Sequence, residues 1–224
     1  IEFVGNNADD NCNGLVDEAP EPCDTGALDP NNPLDYGRAI GLCNGALVSA
    51  QFISGNSNTR TILTSFGSFP GAMNVPTEGN KMASLSSGWA NTNTKTSGYA
   101  FDGSTGGDCT SFAHPNPLGA PANGCGSADP ATVCDKTEIQ LQIRVPSNAQ
   151  SFSYQFQFFS AEYPTYRCTS YDDTFLALLA STAFTGNISF DANGQVVSVN
   201  NGFFQVCNSI PLNPGCTNAP DPVL

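Results

Sequence analysis

The stretch 151–179, SFSYQFQFFSAEYPTYRCTSYDDTFLALL, constrains the fold of this chain more than any other segment. Its first part alternates strictly between aromatic and polar residues. The aromatic members are Phe152, Tyr154, Phe156 and Phe158. A period of two predicts a β-strand with one buried aromatic face and one polar face. Pro164 cannot donate a backbone hydrogen bond to a sheet and marks a turn. The apolar residues of 174–179 predict a second strand.

Three carboxylates lie where these two predicted strands meet: Glu162, Asp172 and Asp173. Like charges held close together need a cation, a shared proton or solvent. The cluster either binds a Ca²⁺ ion or caps the hairpin by accepting hydrogen bonds from backbone N–H groups. A third interpretation is a glycoside hydrolase that uses Glu162 with Asp172 or Asp173. Adjacent aspartates at a turn suit a shared cation better, because hydrolysis needs two carboxyls of different pKa across a sugar-sized cleft.

The same stretch resembles the choice-of-anchor L domain, a family of bacterial surface and secreted proteins. The resemblance lies in a strand followed by E-Y-x-x-Y and by a Y-[ND]-D-x-F turn. The matching residues are Glu162, Tyr163, Tyr166, Tyr171, Asp172, Asp173 and Phe175. Weaker similarities at AIGLCNGALVSAQF and MASLSSG extend it over most of the chain after residue 35. The resemblance implies a β-sandwich module with no established catalytic role.

The predicted fold is therefore all-β: an antiparallel, jelly-roll-like β-sandwich with long disulfide-stapled loops and at most one short helix. The sandwich spans 35–224. Members of the family usually continue with further strands, so it is either cut short at Leu224 or completed by another chain. Residues 1–34 are predicted to form an N-terminal strand, a calcium-type loop and a Pro-rich linker over 19–34.

The sequence GNNADDNCNGLVDE near the N-terminus contains D-x-N-x-N-G, the front half of an EF-hand-type loop. The predicted ligands, including the Leu15 carbonyl, are Asp9, Asn11, Asn13, Leu15, Asp17 and Glu18. Gly14 supplies the turn. A standard EF-hand is ruled out because no glutamate stands at the twelfth position. The segment resembles the short DNDCDGxxDE metal-binding motif of bacterial surface proteins. The alternative is an Asx-rich turn that binds no metal.

Charge and cysteine content indicate the compartment. Acidic residues outnumber basic ones by 20 to 7, which argues against nucleic-acid binding and against an anionic membrane surface. The sequence contains no transmembrane run. Nine cysteines in a chain rich in Gly, Asn and Thr predict disulfides in an oxidising, extracellular compartment. Two candidate bridges enclose short loops, Cys12 with Cys23 and Cys207 with Cys216.

Local patterns predict the remaining elements. The segment 35–43 forms one or two helical turns with Asp35 as the N-cap. Strands are predicted at LVSAQFIS, TRTILTSFG, MASLSSG and the strictly alternating TEIQLQIRV, which we expect to pair with 151–158. Asn193-Gly194 predicts a hairpin turn. Asn187-Ile188-Ser189 is a formal glycosylation sequon, which predicts little in the bacterial protein that the resemblance implies.

These patterns predict a secreted, non-catalytic structural module of a bacterial cell surface that binds Ca²⁺. No G-x-S-x-G or H-E-x-x-H motif occurs, and His114 is the only histidine. The first four residues, Ile1, Glu2, Phe3 and Val4, are β-prone, so we expect them to add as a strand to a neighbouring copy and build a fibre. The alternative is a monomeric adhesin or carbohydrate-binding module with Trp89 in a sugar platform.

Overall fold

The structure is a computed structural model, and it describes residues 7–9, 14–17, 22–43, 45–69, 72–88, 90, 110–111, 132–145, 151–160, 173–191, 194 and 196–199. Within these ranges the chain is mostly strands with a single short helix, as an all-β fold predicts. Internal contacts divide it into two compact units. Unit 1 is Ile1–Asp108 with Cys134–Gln155, and unit 2 is Cys109–Val133 with Phe156–Leu224.

All strand pairs in the described residues are antiparallel. Unit 1 contains helix α1, Pro33–Ala39, and strands β1, Leu47–Ser54, β2, Arg60–Leu63, β3, Phe66–Phe69, β4, Ala72–Asn74, β5, Met82–Leu85 and β8, Glu138–Ile143. Unit 2 contains β6, Thr110–Ser111, β7, Thr132–Val133, β9, Thr174–Phe175, β10, Leu178–Ala180, β11, Thr185–Asn187 and β12, Val197–Ser198. The pairs are β1–β8, β2–β5, β3–β4, β6–β7, β9–β12 and β10–β11.

The N-cap of helix α1 lies three residues before the predicted one. Asn32 is the N-cap, because its side chain accepts from the Leu34 backbone N–H and Pro33 then occupies the first helical position. The prediction of Asp35 as the cap is wrong. Asp35 lies in the first turn, where its carboxylate accepts from the Asp29 backbone N–H at 2.9 Å and pairs with Arg38 at 2.5 Å. The helix also runs across the predicted boundary at residue 34.

Strands β1 and β8 form where the sequence predicts them, but they pair with each other. Gln51 lies opposite Gln140, and Phe52 lies opposite Ile139. The predicted pairing of β8 with 151–158 is therefore wrong. Residues 151–160 contain no regular secondary structure, and Phe152 is 55% exposed. Alternation predicts which faces a strand can present, but it does not identify the strand that it pairs with. Here β8 pairs with β1, and β1 also packs against α1.

The core of unit 1 lies between α1 and β1. Tyr36 is fully buried, donates its hydroxyl to the Pro30 carbonyl at 3.0 Å, and meets the Phe52 ring edge-on. The Arg60 guanidinium lies 3.7 Å from the centre of the same Phe52 ring. Gly37 faces Leu47, and a Cβ at Gly37 would fall 2.5 Å from a Leu47 methyl carbon. The glycine therefore allows the helix to approach the strand closely.

Unit 2 is held by a buried polar turn and a hairpin. The predicted strand 174–179 is divided into β9 and β10, because the Ala177 backbone N–H donates to the Ser189 hydroxyl at 2.9 Å instead of to a strand. A hairpin forms near Gly194 as predicted, but its turn runs from Asp191 to Gly194 and is not a two-residue Asn193-Gly194 loop. Gly194 donates to the Asp191 carbonyl at 3.0 Å, and Phe190 forms a β-bridge with Val196. Val197 and Val199, which follow this hairpin in the chain, are fully buried.

Candidate functional site

The N-terminal loop folds back onto its first predicted ligand. The Asp9 carboxylate accepts a hydrogen bond from the Gly14 backbone N–H at 2.7 Å. Gly14 has φ of +90°, a left-handed conformation that glycine adopts without steric cost. In an EF-hand-type loop the first position is a carboxylate and the sixth is the glycine of the sharp turn. Asp9 and Gly14 occupy these two positions, so the local geometry is that of a calcium-type turn.

A second carboxylate closes the loop from its other end. Both oxygens of Asp17 accept from the Asn7 backbone N–H, at 3.2 and 3.1 Å. Asn7 and Asp17 have φ of 59° and 57°, a region that Asn and Asp tolerate better than other side chains. The side chain of Asp17 therefore links the two ends of the described loop. Leu15 and Val16 between them are 59% and 57% exposed.

The donor set of this loop fits Ca²⁺ chemically. Carboxylate, amide and backbone carbonyl oxygens are hard ligands, and Asp9, Leu15 and Asp17 supply two of these kinds within the described residues. Asn11, Asn13 and Glu18 lie outside the described residues. In the part of the chain that the structure describes, no three His, Cys, Asp or Glu residues are close enough together to hold a metal by themselves. A complete shell would therefore need the amide and carbonyl oxygens as well.

The disulfide next to the loop differs from the predicted one. Cys23 is bonded to Cys43, with their Cα atoms 5.5 Å apart, so the predicted bridge between Cys12 and Cys23 is wrong. Helix α1 brings Cys43 back to Cys23, and nearness in the sequence alone does not reveal this. Closing a loop of this length stabilises the fold by about 3 kcal/mol in the chain-entropy model. Cys134 is disulfide-bonded as well, while Cys12, Cys207 and Cys216 lie outside the described residues.

Asp24, the residue after Cys23, forms a buried anchor that the sequence does not signal. It is 4% exposed, and its carboxylate accepts from the backbone N–H groups of Asn80 and Lys81 and from the Asn80 side chain. Burial alone raises the pKa of the Asp24 carboxyl, but these hydrogen bonds outweigh it and hold the pKa below its ordinary value of 3.8. In its described part, the predicted linker 19–34 is thus fixed to the rest of unit 1.

Gly79 makes room for this anchor. It has φ of +68°, and a Cβ there would fall 2.5 Å from an Asp24 carboxylate oxygen. The turn that ends at Lys81 can therefore wrap around the carboxylate only if residue 79 lacks a side chain. A glycine in a polar loop has many explanations, so sequence reasoning did not connect it with an aspartate more than fifty positions away.

The second predicted acidic cluster is described only at Asp173. Its carboxylate accepts from the Ser160 hydroxyl at 3.2 Å, and its backbone carbonyl accepts from the Val199 N–H at 3.1 Å. Glu162 and Asp172 lie outside the described residues. A cation shared by the three acids, like the alternative of a catalytic pair, stays a prediction.

The structure argues against a glycan on Asn187. This residue is 2% exposed, its amide group donates to the Ser189 carbonyl at 2.9 Å, and its amide oxygen accepts from the Ser189 N–H and hydroxyl. A sugar on the amide nitrogen would break this arrangement and would have no space in the core. The sequon is instead an Asx-type turn that supports β9 and β10.

Comparison of the chain with models of known protein families, with curated proteins and with solved structures found no match. The similarity to the choice-of-anchor L domain therefore stays a prediction. Among the residues that the structure describes, no helix is both long and apolar enough to span a membrane. The predicted assembly strand 1–4, Trp89 and His114 lie outside the described residues.

Proposed function

We propose that this chain is a non-catalytic structural module of a bacterial cell surface, and that its N-terminal loop binds Ca²⁺. The observation that carries the proposal is the hydrogen bond from the Gly14 N–H to the Asp9 carboxylate, with Gly14 in the left-handed conformation. This bond joins the first and sixth positions of a D-x-N-x-N-G loop, the pair that shapes a calcium-type turn.

The loop residues would bind the ion through side-chain and backbone oxygens. Asp9, Asn11, Asn13, Asp17 and Glu18 would present side-chain oxygens, and Leu15 would present its carbonyl. Bound Ca²⁺ would supply a positive charge that offsets the repulsion among these acids. A ligand that binds only the folded state stabilises it by about 2.7 kcal/mol at a hundredfold excess over its dissociation constant. Bound calcium would therefore stabilise the folded state of the module.

An extracellular setting agrees with two features of the chain. A disulfide between Cys23 and Cys43 persists in an oxidising compartment. The 20 acidic residues outnumber the 7 basic ones, and this negative charge suits a calcium-rich environment and favours solubility. We further propose that the antiparallel strands belong to a β-sandwich, and that the N-terminal strand 1–4 joins a neighbouring copy to form a fibre.

Calorimetric titration with Ca²⁺ tests the metal site. We expect wild-type protein to bind, and Asp9→Asn to bind at least tenfold more weakly, because one charged ligand and the acceptor of the Gly14 bond are altered together. Glu78→Gln is the matched control, since it removes the same charge from an exposed side chain outside the loop. Equal affinity in wild-type and Asp9→Asn protein would show that the loop is not the site.

Negative-stain imaging tests the assembly. Wild-type protein should form filaments that loosen on chelation, and protein lacking residues 1–4 should remain dispersed. Dispersed wild-type particles with and without Ca²⁺ would contradict the fibre. Hydrolysis of oligosaccharides that disappears in Glu162→Gln, with the fold intact, would contradict the non-catalytic assignment.

A further inference from the structure

Strand β8 has an outer edge, the one that faces away from β1. Within the described residues, β8 pairs with β1 and with no strand on this outer edge. The segment 151–158, which the sequence predicts as a second partner, forms no strand. Gln140 and Gln142 are exposed, and the apolar Ile143 is 45% exposed. An exposed edge presents backbone N–H and C=O groups to which a strand of another chain can pair.

The sequence of β8 is self-complementary. Residues 138–144 read EIQLQIR, a palindrome about Leu141 except for its two ends. If two copies of this strand pair antiparallel and centred on Leu141, each residue lies opposite the residue at the same distance beyond the centre. Isoleucines then face isoleucines, glutamines face glutamines, and Leu141 faces its own copy. Opposite residues share one face of a sheet, so apolar pairs meet on one face and amide pairs on the other.

The two ends of the palindrome carry opposite charges. Glu138 and Arg144 are each three residues from Leu141, so the same register places the carboxylate of each copy opposite the guanidinium of the other. Arg144 continues the line of β8, because its backbone N–H donates to the Ala46 carbonyl at 2.7 Å. Glu138 pairs with Lys136 through Oε2, and its other carboxylate oxygen can accept from an arginine. Charges of one sign would repel a second copy, whereas these attract it.

We propose that β8 pairs with β8 of a second copy about a two-fold axis at Leu141, which gives a four-stranded sheet in the order β1–β8–β8–β1. The polar face of this sheet continues the existing side-chain pairs, in which Gln51 donates to Gln140 and Ser49 donates to Gln142. The apolar face extends the layer on which Phe52 meets α1. A contact of this kind is closed, so it yields a dimer and requires neither Ca²⁺ nor the N-terminal strand 1–4.

Charge reversal tests the pairing, with dimerisation measured by analytical ultracentrifugation in the presence of a chelator. Wild-type protein should dimerise, and Glu138→Arg or Arg144→Glu should each weaken the dimer by about tenfold, because two like-charged pairs then meet across the axis. The double variant Glu138→Arg/Arg144→Glu should restore it. Its two changed residues lie about 20 Å apart along one strand, so only contacts between copies explain a rescue. Glu78→Arg, the same charge change at an exposed position outside β8, is the control.

A mixture of the two single variants gives a second test. Glu138→Arg has two positive ends and Arg144→Glu has two negative ends, so an equimolar mixture should form heterodimers more tightly than either variant dimerises alone. Wild-type protein that stays monomeric, or a double variant and a mixture that dimerise no better than the single variants, would overturn the proposal.

Hydrogen exchange of the wild-type protein decides the question even if a variant does not fold. The amides of 138–144 should exchange more slowly as the protein concentration rises, and equal exchange at low and high concentration would overturn the pairing. Deleting residues 1–4 should abolish filaments and leave this dimer intact, so the two assembly proposals fail separately. Loss of the dimer on that deletion would assign the outer edge of β8 to the N-terminal strand instead.

Discussion

Replacing Asp24 by Asn should destabilise the protein at neutral pH and destabilise it less in acid. All three partners of this carboxylate are donors, two backbone N–H groups and the amide of Asn80. Asn keeps one acceptor oxygen and turns an NH₂ group toward the remaining donor. Hydrogen bonds to a charged group contribute about 1.5–3 kcal/mol, and neutral ones about half of that. Since Asn80 is exposed, we expect a loss of about 1–2 kcal/mol in the free energy of unfolding.

The pH dependence separates this explanation from simple loss of packing. The pKa of folded Asp24 lies below the ordinary value of 3.8. A carboxyl with a lowered folded pKa contributes stability above its unfolded pKa, and this contribution disappears as the pH falls through the folded value. Urea unfolding at pH 7 and near pH 3 should therefore show a stability difference between wild-type and Asp24→Asn protein that shrinks in acid. Glu78→Gln is the control. An equal difference at both pH values would refute the reasoning.

Three further changes test the packing. Gly79→Ala should lower the free energy of unfolding by about 2 kcal/mol, because it places a Cβ at positive φ against the Asp24 carboxylate; an unchanged urea midpoint would contradict this. Burial raises the pKa of Tyr36 to about 12, so stability should fall as the pH rises above the unfolded value. Between pH 10 and 11 the free energy of unfolding of the wild-type protein should fall by about 1 kcal/mol relative to that of Tyr36→Phe. Parallel pH profiles for the two proteins would show that ionisation of Tyr36 does not cause the loss. Ser189→Ala should cost about 1–3 kcal/mol because the Ala177 N–H loses its partner, whereas Ser181→Ala, at an exposed turn, should cost less in the same unfolding assay.

The features that could be predicted from the sequence involve residues close together in the chain. Alternation predicted β8, and a β-prone run beside turn residues predicted β1, because both signals are local properties of a strand. The turns at Gly14 and near Gly194 are local for the same reason, since each is closed by a hydrogen bond between residues a few positions apart. The turn geometry of the candidate calcium loop was therefore predictable from its motif, whereas its occupancy by a metal stays a proposal.

The tertiary structure decided which distant segments meet. Cys23 pairs with Cys43 because α1 reverses the chain between them, and β8 pairs with β1 across about ninety residues. The aromatic alternation in 151–158 was correct as a pattern and wrong as a strand, because a strand exists only if a partner accepts its backbone hydrogen bonds. Burial of Asp24 and Asn187 likewise depends on hydrogen-bond donors and packed residues that other parts of the chain supply. A sequence pattern records what each residue can present to its neighbours, and only the packed chain determines which neighbours those are.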